Sequence, residues 1–162
     1  EMALSAAADP AESWAAYPAA AARRLASNFA IAYGVDLALE CDLPEASGMS
    51  SSSAVICASF LALARRNALP AAPKFRELLP TAEMLCHYLG CIENGQDCGP
   101  GLPGDKGVGT FGGSEDHTAI MCCRAGELAQ YAFCPTRLER ALAFPRTHRL
   151  VIAVSGATAQ KG

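Results

Sequence analysis

The first half of the chain has the hydrophobic spacing of two helices separated by a strand and a loop. Residues 12–33 are rich in alanine and carry aromatic and aliphatic side chains at helical spacing. This pattern predicts a helix that starts near Pro18 or is kinked there and that Gly34 ends. Residues 35–41 alternate between apolar and polar, which predicts a half-buried strand. Residues 55–67 have the spacing of a buried helix.

The middle of the chain begins with further helical spacing and then changes character. Residues 74–93 predict one or two helices, with Pro80 as the interruption. Residues 94–113 contain eight glycines and two prolines, so we expect no regular element there. A loop of this length in a compact domain is usually functional or mobile.

The last third of the chain predicts β-structure. Residues 118–123 and 128–133 are short apolar segments on either side of a turn at 124–126, which predicts a β-hairpin. A proline-punctuated link over residues 135–145 leads to residues 148–154, whose apolar run predicts a buried strand.

Composition indicates one globular domain. The 162 residues are 51% hydrophobic and 18% charged, which is ample for a single core. The net charge of −3 without a basic stripe argues against a nucleic-acid partner. No apolar run reaches membrane-spanning length and no charged-then-apolar leader opens the chain. We therefore expect no membrane partner and a cytoplasmic location.

Eight cysteines are present, but the chain is neither short nor visibly secreted, so disulfides are not expected. Three cysteines lie within predicted strands or helices, where free thiols pack as small hydrophobic groups: Cys41, Cys57 and Cys122. Cys86, Cys91 and Cys98 together with His87 suggest zinc. The spacing contains no Cys-x-x-Cys pair, however, and the sequence argues against a zinc site.

The segment over residues 43–54 is the strongest functional signal. It joins the predicted strand to a helix through a loop that contains Gly48 and four consecutive serines. The first N–H groups of a helix have no internal partner and lie at the positive end of its dipole, so this junction suits an anion. The serine hydroxyls can cap the helix, donate to phosphate oxygens or bind a hard cation. From the loop alone, an ordinary serine-rich turn with an N-cap is an equal alternative, and the lysine of a Walker loop is missing.

The motif Pro44-x-x-x-Gly48-Met49-Ser50-Ser51-Ser52-Ser53-Ala54 resembles the second signature motif of the GHMP kinases, which phosphorylate galactose, homoserine, mevalonate and related small molecules. The resemblance implies that this loop wraps the phosphates of ATP and that one serine helps to hold magnesium. Counting from Gly48 favours Ser52 as that serine, whereas counting back from Ala54 favours Ser53. The residues implied to bind the nucleotide are Pro44, Gly48, Met49, Ser50, Ser51, Ser52 and Ser53.

The segment Gly112-Gly113-Ser114-Glu115-Asp116-His117 resembles the part of galactokinases in which Gly-x-x-Asp-Gln carries the catalytic aspartate. On the residues alone, a plain turn with Glu115 or Asp116 as a cap is the favoured interpretation. The resemblance implies that Asp116 is the catalytic base and that Gly112, Gly113 and Asp116 bind the substrate. His117 stands where galactokinases usually have glutamine, and we expect it to be a structural histidine with satisfied ring nitrogens, or one that supports neighbouring site residues, rather than a proton carrier.

Glu93 lies at the end of a helical pattern, where the helix dipole disfavours a carboxylate. This position hints at a compensating cation, although a solvated surface glutamate is the simpler interpretation. The context Ile92-Glu93-Asn94 is similar to the Ala-Glu-Asn of galactokinases, and the resemblance implies that Glu93 and a loop serine bind Mg²⁺.

The resemblance extends from about Trp14 to Gly156 and implies an α+β fold, the two-layer GHMP kinase N-terminal type, which is like domain 2 of ribosomal protein S5, with a mixed or antiparallel sheet packed on helices. Trp14-x-x-Tyr17 also resembles galactokinases, although we expect both residues to be core aromatics. The first and third GHMP motifs should lie beyond the two ends, so residues 1–162 are expected to be the central part of the fold, inactive without the remainder of the kinase chain. The implied activity is ATP-dependent phosphorylation of a sugar at its anomeric C1 hydroxyl, with the sugar undetermined. The alternative is a non-catalytic sugar and ATP sensor or a truncated pseudo-kinase.

Overall fold

The structure, a computed structural model, describes residues 14–43 and 48–153. Helices come first along the chain and a two-stranded antiparallel sheet follows, which is an α+β arrangement, as predicted. In chain order the elements are α1 (Ala16–Phe29), α2 (Ser51–Arg66), a 3-10 turn (Leu69–Ala71), α3 (Pro73–Leu78), α4 (Ala82–Asn94), α5 (Glu115–Cys122), β1 (Glu127–Ala132) and β2 (Arg137–Ala143). Of the helices described, none is both long and apolar enough to cross a bilayer.

The core lies between α1, α2 and α4. Phe60 of α2 and Tyr88 of α4 are fully buried, with their ring centroids 6.3 Å apart. Phe29 of α1 packs on Tyr88 edge to face. The Tyr88 hydroxyl donates to Asn28 Oδ1 over 2.8 Å, so a large aromatic is buried without an unpaired polar atom.

The helices predicted in the first two thirds of the chain are present, with one end in the wrong place. Pro80 lies between α3 and α4 as expected. Helix α1 ends at Phe29 rather than at Gly34, and Ala30 adopts the left-handed conformation, with φ 51°. The reason lies in Asn67, at the end of α2, whose side-chain oxygen accepts from the N–H of Ala32 at 3.1 Å. This contact holds the chain after Ala30 in a non-helical path.

Residues 35–41 form no strand, contrary to prediction. Alternation marks a segment that could pair, but a strand also needs a hydrogen-bonding partner, and no described residue pairs with this segment. As a consequence Cys41 is exposed rather than buried. Trp14 is also no core aromatic, since it is 63% exposed, whereas Tyr17 packs against the core.

Residues 118–123, predicted as the first strand of a hairpin, instead belong mainly to helix α5. A short apolar run does not distinguish a strand from a buried helix. Packing against α4 and α2 decides the conformation here. His117 is buried and Met121, one helical turn later, packs against the core, which is the spacing of a helix face.

The predicted strand at 128–133 is present as β1, but its partner is β2 from the segment predicted as a link. The prolines that suggested a link lie outside β2: Pro135 is in the connecting turn and Pro145 follows the strand, where neither has to donate a ladder hydrogen bond. β2 is exposed along its whole length, so the larger sheet packed on helices is absent from the described part of the chain. Residues 148–153 form no strand, and Val154 to Gly156 lie outside the described residues.

Candidate functional site

A cavity of about 270 Å³ lies where the N-terminus of α2, the C-terminal end of α4 and the N-terminus of α5 meet. Tyr17 of α1 and Thr110 of the long loop complete part of its wall. The cavity brings together six residues that the sequence singled out, from three separate segments: Ser52, Ser53, Glu93, Gly112, Gly113 and Asp116.

The serine-rich end of the cavity is a helix N-terminus without a side-chain cap. Ser50 precedes α2 in the left-handed conformation, with φ 56°, and its hydroxyl makes no capping hydrogen bond. The first N–H groups of α2 therefore have no partner within the helix or from the cap. Gly48 also has a positive φ, 75°, and no described residue lies within 4 Å of where its Cβ would be. Pro44 lies outside the described residues.

The three C-terminal serines of the motif differ in exposure, as expected along the first turn of a helix with one buried face. Ser51 is exposed, Ser52 is half-buried and Ser53 is buried. Ser53 Oγ donates to Glu93 Oε2 over 2.9 Å. This hydrogen bond joins the start of α2 to the end of α4.

Glu93 is not a solvated surface glutamate, since its side chain is 14% exposed and surrounded by polar groups. His117 Nε2 lies 3.1 Å from Glu93 Oε2. Burial acts to raise the pKa of Glu93, but the contacts with His117, Ser53 and Ser52 outweigh burial and hold that pKa below its usual value. Glu93 is therefore an ionised carboxylate at the cavity wall.

His117 supports this carboxylate from the protein interior. Its side chain is 2% exposed, and no described residue makes a hydrogen bond of good geometry to either ring nitrogen. The close contact of Nε2 with Glu93 nevertheless helps to hold the pKa of that carboxyl down.

Asp116 lies in the first turn of α5 and not in a turn at the head of a hairpin. It is exposed, and it lines the same cavity as Ser52, Ser53 and Glu93. Glu115, the preceding residue, lines the cavity as well. Carboxylates in a first helical turn are favoured by the helix dipole, which accounts for two adjacent acids at this position.

Gly90 is a site-forming residue that the sequence analysis missed. A Cβ at this position would lie 3.0 Å from Ser114 Cα and 3.2 Å from the Gly113 carbonyl oxygen. Only glycine therefore allows α4 to approach the segment that leads into α5. The Asn94 side chain reinforces the approach, since its amide donates to the Gly112 carbonyl over 2.8 Å. The only available signal was an isolated glycine within a helical pattern.

The long loop is held in place by two buried arginines of α1, which the sequence analysis also missed. Arg23 Nε lies 2.7 Å from Asp105 Oδ2, and Arg23 Nη2 donates to the Gly107 carbonyl over 3.0 Å. Arg24, fully buried, donates through Nη2 to the Gln96 carbonyl over 2.5 Å. The loop has no regular element, as predicted, but its backbone is anchored on α1 before it reaches the cavity.

Comparison with known proteins identifies one family. The family model described as the GHMP kinases N terminal domain matches residues 16–101, just over half of the chain. The matched region contains the serine motif and Glu93 and ends before Asp116. No curated protein and no solved structure gives a significant match.

Proposed function

Because this chain belongs to the GHMP kinase family, we propose that it transfers the γ-phosphoryl group of ATP to a sugar, at the anomeric C1 hydroxyl. Family membership supports ATP-dependent phosphorylation of a small molecule, and the likeness of residues 112–117 to galactokinases supports a sugar. The observation that carries the proposal is that Ser53, Glu93 and Asp116 line one cavity, although 63 residues separate the first from the last.

In this proposal the phosphates of ATP bind at the N-terminus of α2. The free N–H groups of the first turn donate to phosphate oxygens, and the positive end of the helix dipole favours their charge. Gly48 has no Cβ, which lets the backbone approach the phosphates closely. The residues assigned to the nucleotide are Pro44, Gly48, Met49, Ser50, Ser51, Ser52 and Ser53.

The donor set at Glu93 fits magnesium. Ser52, Ser53 and Glu93 offer hydroxyl and carboxylate oxygens, which are the hard ligands that this ion prefers. Glu93 has a lowered pKa and accepts a hydrogen bond from Ser53, so an ionised carboxylate and a serine hydroxyl are already side by side. When bound, magnesium neutralises negative charge on the β- and γ-phosphates.

Asp116 is assigned as the catalytic base. Its carboxylate orients the sugar hydroxyl and accepts the hydroxyl proton, while the sugar oxygen forms a bond to the γ-phosphorus and the bond from that phosphorus to the β,γ-bridging oxygen breaks. The backbone of Gly112 and Gly113 lies beside the acceptor. Most of the rate enhancement comes from holding the hydroxyl in line with the phosphorus.

The test compares Asp116→Asn with Glu115→Gln in the complete gene product. Both variants remove one charge from neighbouring residues on the cavity wall, but only Asp116 is assigned the proton. ADP release is measured in a coupled assay with galactose, glucuronate, arabinose, fucose and a heptose, and ATP binding is measured by calorimetry. We expect Asp116→Asn to lower kcat by roughly 100-fold or more with ATP binding retained. Glu115→Gln should change kcat by less than roughly threefold.

Two outcomes would overturn the proposal. If Asp116→Asn keeps the wild-type kcat, Asp116 is not the base. If ATP binds but no sugar stimulates ADP release, the protein is a sensor rather than a kinase.

A further inference from the structure

A cluster of metal-binding side chains lies on α4, apart from the cavity described above. His87 and Cys91 are four residues apart on the helix and therefore share one face. Cys98 follows in the loop and returns to the same place. One ring nitrogen of His87, Cys91 Sγ and Cys98 Sγ all lie within 4.8 Å of one another, and His87 Nε2 is 3.9 Å from Cys91 Sγ.

We propose that His87, Cys91 and Cys98 form a binding site for a thiophilic metal ion, with Zn²⁺ the best match. Two thiolates and one imidazole are ligands typical of zinc and unsuited to magnesium or calcium. Zinc bonds of about 2.3 Å to sulfur and about 2.0 Å to nitrogen place the ligand atoms of a tetrahedral site about 3.6–3.8 Å apart. The observed separations need to shrink by about 1 Å or less to reach these values.

The sequence argued against zinc because it has no Cys-x-x-Cys pair. In the structure, helix α4 brings His87 and Cys91 close together instead. Cys86, which the sequence grouped with these residues, points elsewhere, and its Sγ lies 3.2 Å from Cys122 Sγ. The proposed ligands are thus His-x-x-x-Cys on helix α4 and a cysteine from the loop that follows this helix.

The third ligand is held by the fold and does not depend on a metal for its position. The N–H of Cys98 donates to the Leu102 carbonyl over 3.0 Å, and Leu102 is buried in the core. Asp97, the neighbour of Cys98, accepts through Oδ1 from the N–H of Gly104. The turn that carries Cys98 is therefore fixed at both ends, and little entropy is lost when its thiolate binds a metal.

The burial of the three ligands leaves a route for an ion. Cys91 is buried, whereas His87 and Cys98 are both partly exposed, so a metal can enter from the His87 side. Three protein ligands leave the fourth tetrahedral position to water, since the cluster contains no other ligand side chain among the described residues.

The site is independent of the proposed kinase activity. Cys91 and Glu93 are two residues apart on α4, so their side chains point roughly 200° apart around the helix. A metal at Cys91 would link α4 to the long loop on the face away from the cavity.

The experiment is a titration of the complete gene product with Co²⁺ and with Zn²⁺ under reducing conditions, after metal removal by a chelator. One equivalent of Co²⁺ should give a thiolate-to-cobalt charge-transfer band and the intense visible bands of a tetrahedral site, and Zn²⁺ should displace both. Cobalt at oxygen ligands such as Glu93 would lack the charge-transfer band. The control is a triple variant, Cys41→Ser, Cys123→Ser and Cys134→Ser, which lacks the three exposed cysteines. It should keep the charge-transfer band, because none of these residues belongs to the proposed site.

Cys98→Ser should abolish the charge-transfer band or halve its intensity, and His87→Ala should weaken Zn²⁺ binding by more than about tenfold, because even an outer partner of a metal ligand is worth that much. Circular dichroism verifies that each variant is folded. If Cys98→Ser fails to fold, His87→Ala still tests the site, because His87 is partly exposed and its replacement should not unfold the chain. The proposal is overturned if no charge-transfer band forms, if Cys98→Ser and His87→Ala bind as the parent does, or if Cys91 and Cys98 form a disulfide and bind no metal when reduced.

Discussion

The anchoring of the long loop on α1 makes a quantitative prediction about Asp105. Its carboxylate lies 2.7 Å from Arg23 Nε and also accepts from the N–H of Gly107 over 2.8 Å. The Arg23 side chain is only 7% exposed. Arg24 Nη1, fully buried, also lies 3.7 Å from Asp105 Oδ1. Asp105→Ala would therefore leave two buried guanidinium groups without this counter-ion, a change that typically costs more than the pairs themselves contribute.

We estimate the cost from these exposures. Removing one partner of a buried ion pair destabilises a protein by about 3–5 kcal/mol. Because Asp105 is 19% exposed, water can partly replace it, and we expect about 3 kcal/mol at the lower end of that range. With a urea dependence of about 2 kcal/mol per M, the unfolding midpoint should fall by about 1.5 M.

The chain offers a matched control in the ion pair of Arg137 and Glu139. Its charged atoms are 3.6 Å apart, and the side chains are 70% and 38% exposed. Glu139→Ala should change the free energy of unfolding by less than about 0.5 kcal/mol, because exposed pairs contribute little. Urea unfolding followed by far-ultraviolet circular dichroism measures both variants.

The double variant Arg23→Met with Asp105→Ala isolates the cause. If the cost of Asp105→Ala comes from an uncompensated buried charge, removing that charge should recover part of the stability, so the double variant should be more stable than the sum of the single changes implies. The reasoning is refuted if Asp105→Ala costs no more than Glu139→Ala, or if the two changes at Arg23 and Asp105 add without coupling.

Two further predictions concern the packing around the cavity. Gly90→Ala should cost about 1–3 kcal/mol and lower kcat, because its Cβ would press on the Ser114 backbone; wild-type urea stability and kcat would contradict this. Burial, with a smaller contribution from the charge of Glu93, raises the pKa of Cys57 to about 12. Cys57 should therefore escape alkylation by iodoacetamide at pH 8 while the exposed Cys123 reacts, as seen by peptide mass spectrometry, and equal rates would be evidence against it. Since the unfolded thiol ionises near 9, the stability from the neutral Cys57 thiol should be lost as pH rises from there toward 12.

The parts of the fold that follow from local pattern were predictable. The helices around Pro80 and the helix after the serine motif could be predicted because their apolar residues recur at helical spacing within one continuous segment, so no distant residue is needed to recognise them. The serine motif was also recognisable because its residues are consecutive. Ser52, Ser53 and Glu93 share the cavity wall, as the resemblance implied, although Ser52 and Ser53 both contact Glu93 and remain joint candidates for the metal.

The errors all involve partners distant in sequence. Residues 35–41 have a strand pattern and no partner strand among the described residues, while β2 has a partner and a proline-flanked sequence that suggested a link. Nothing local distinguishes Arg23 from an exposed helical arginine, because its counter-ion lies 82 residues further along the chain. Residues 118–122 belong to α5, which packs on both α4 and α2, and these helices lie far from it in sequence.

The cavity has two walls of different origin, and this division bears on substrate choice. One wall, with Ser53 and Glu93, lies within residues 16–101, which match the family model. The other, with Gly112 and Asp116, lies beyond that region and reaches the first wall through contacts that α1 and α4 provide to the long loop. In the proposed reaction the first wall holds ATP and the second holds the acceptor. Changes in the loop can therefore alter which hydroxyl meets the γ-phosphorus while nucleotide binding is preserved, because the Ser53 hydroxyl is held by Glu93, which belongs to α4.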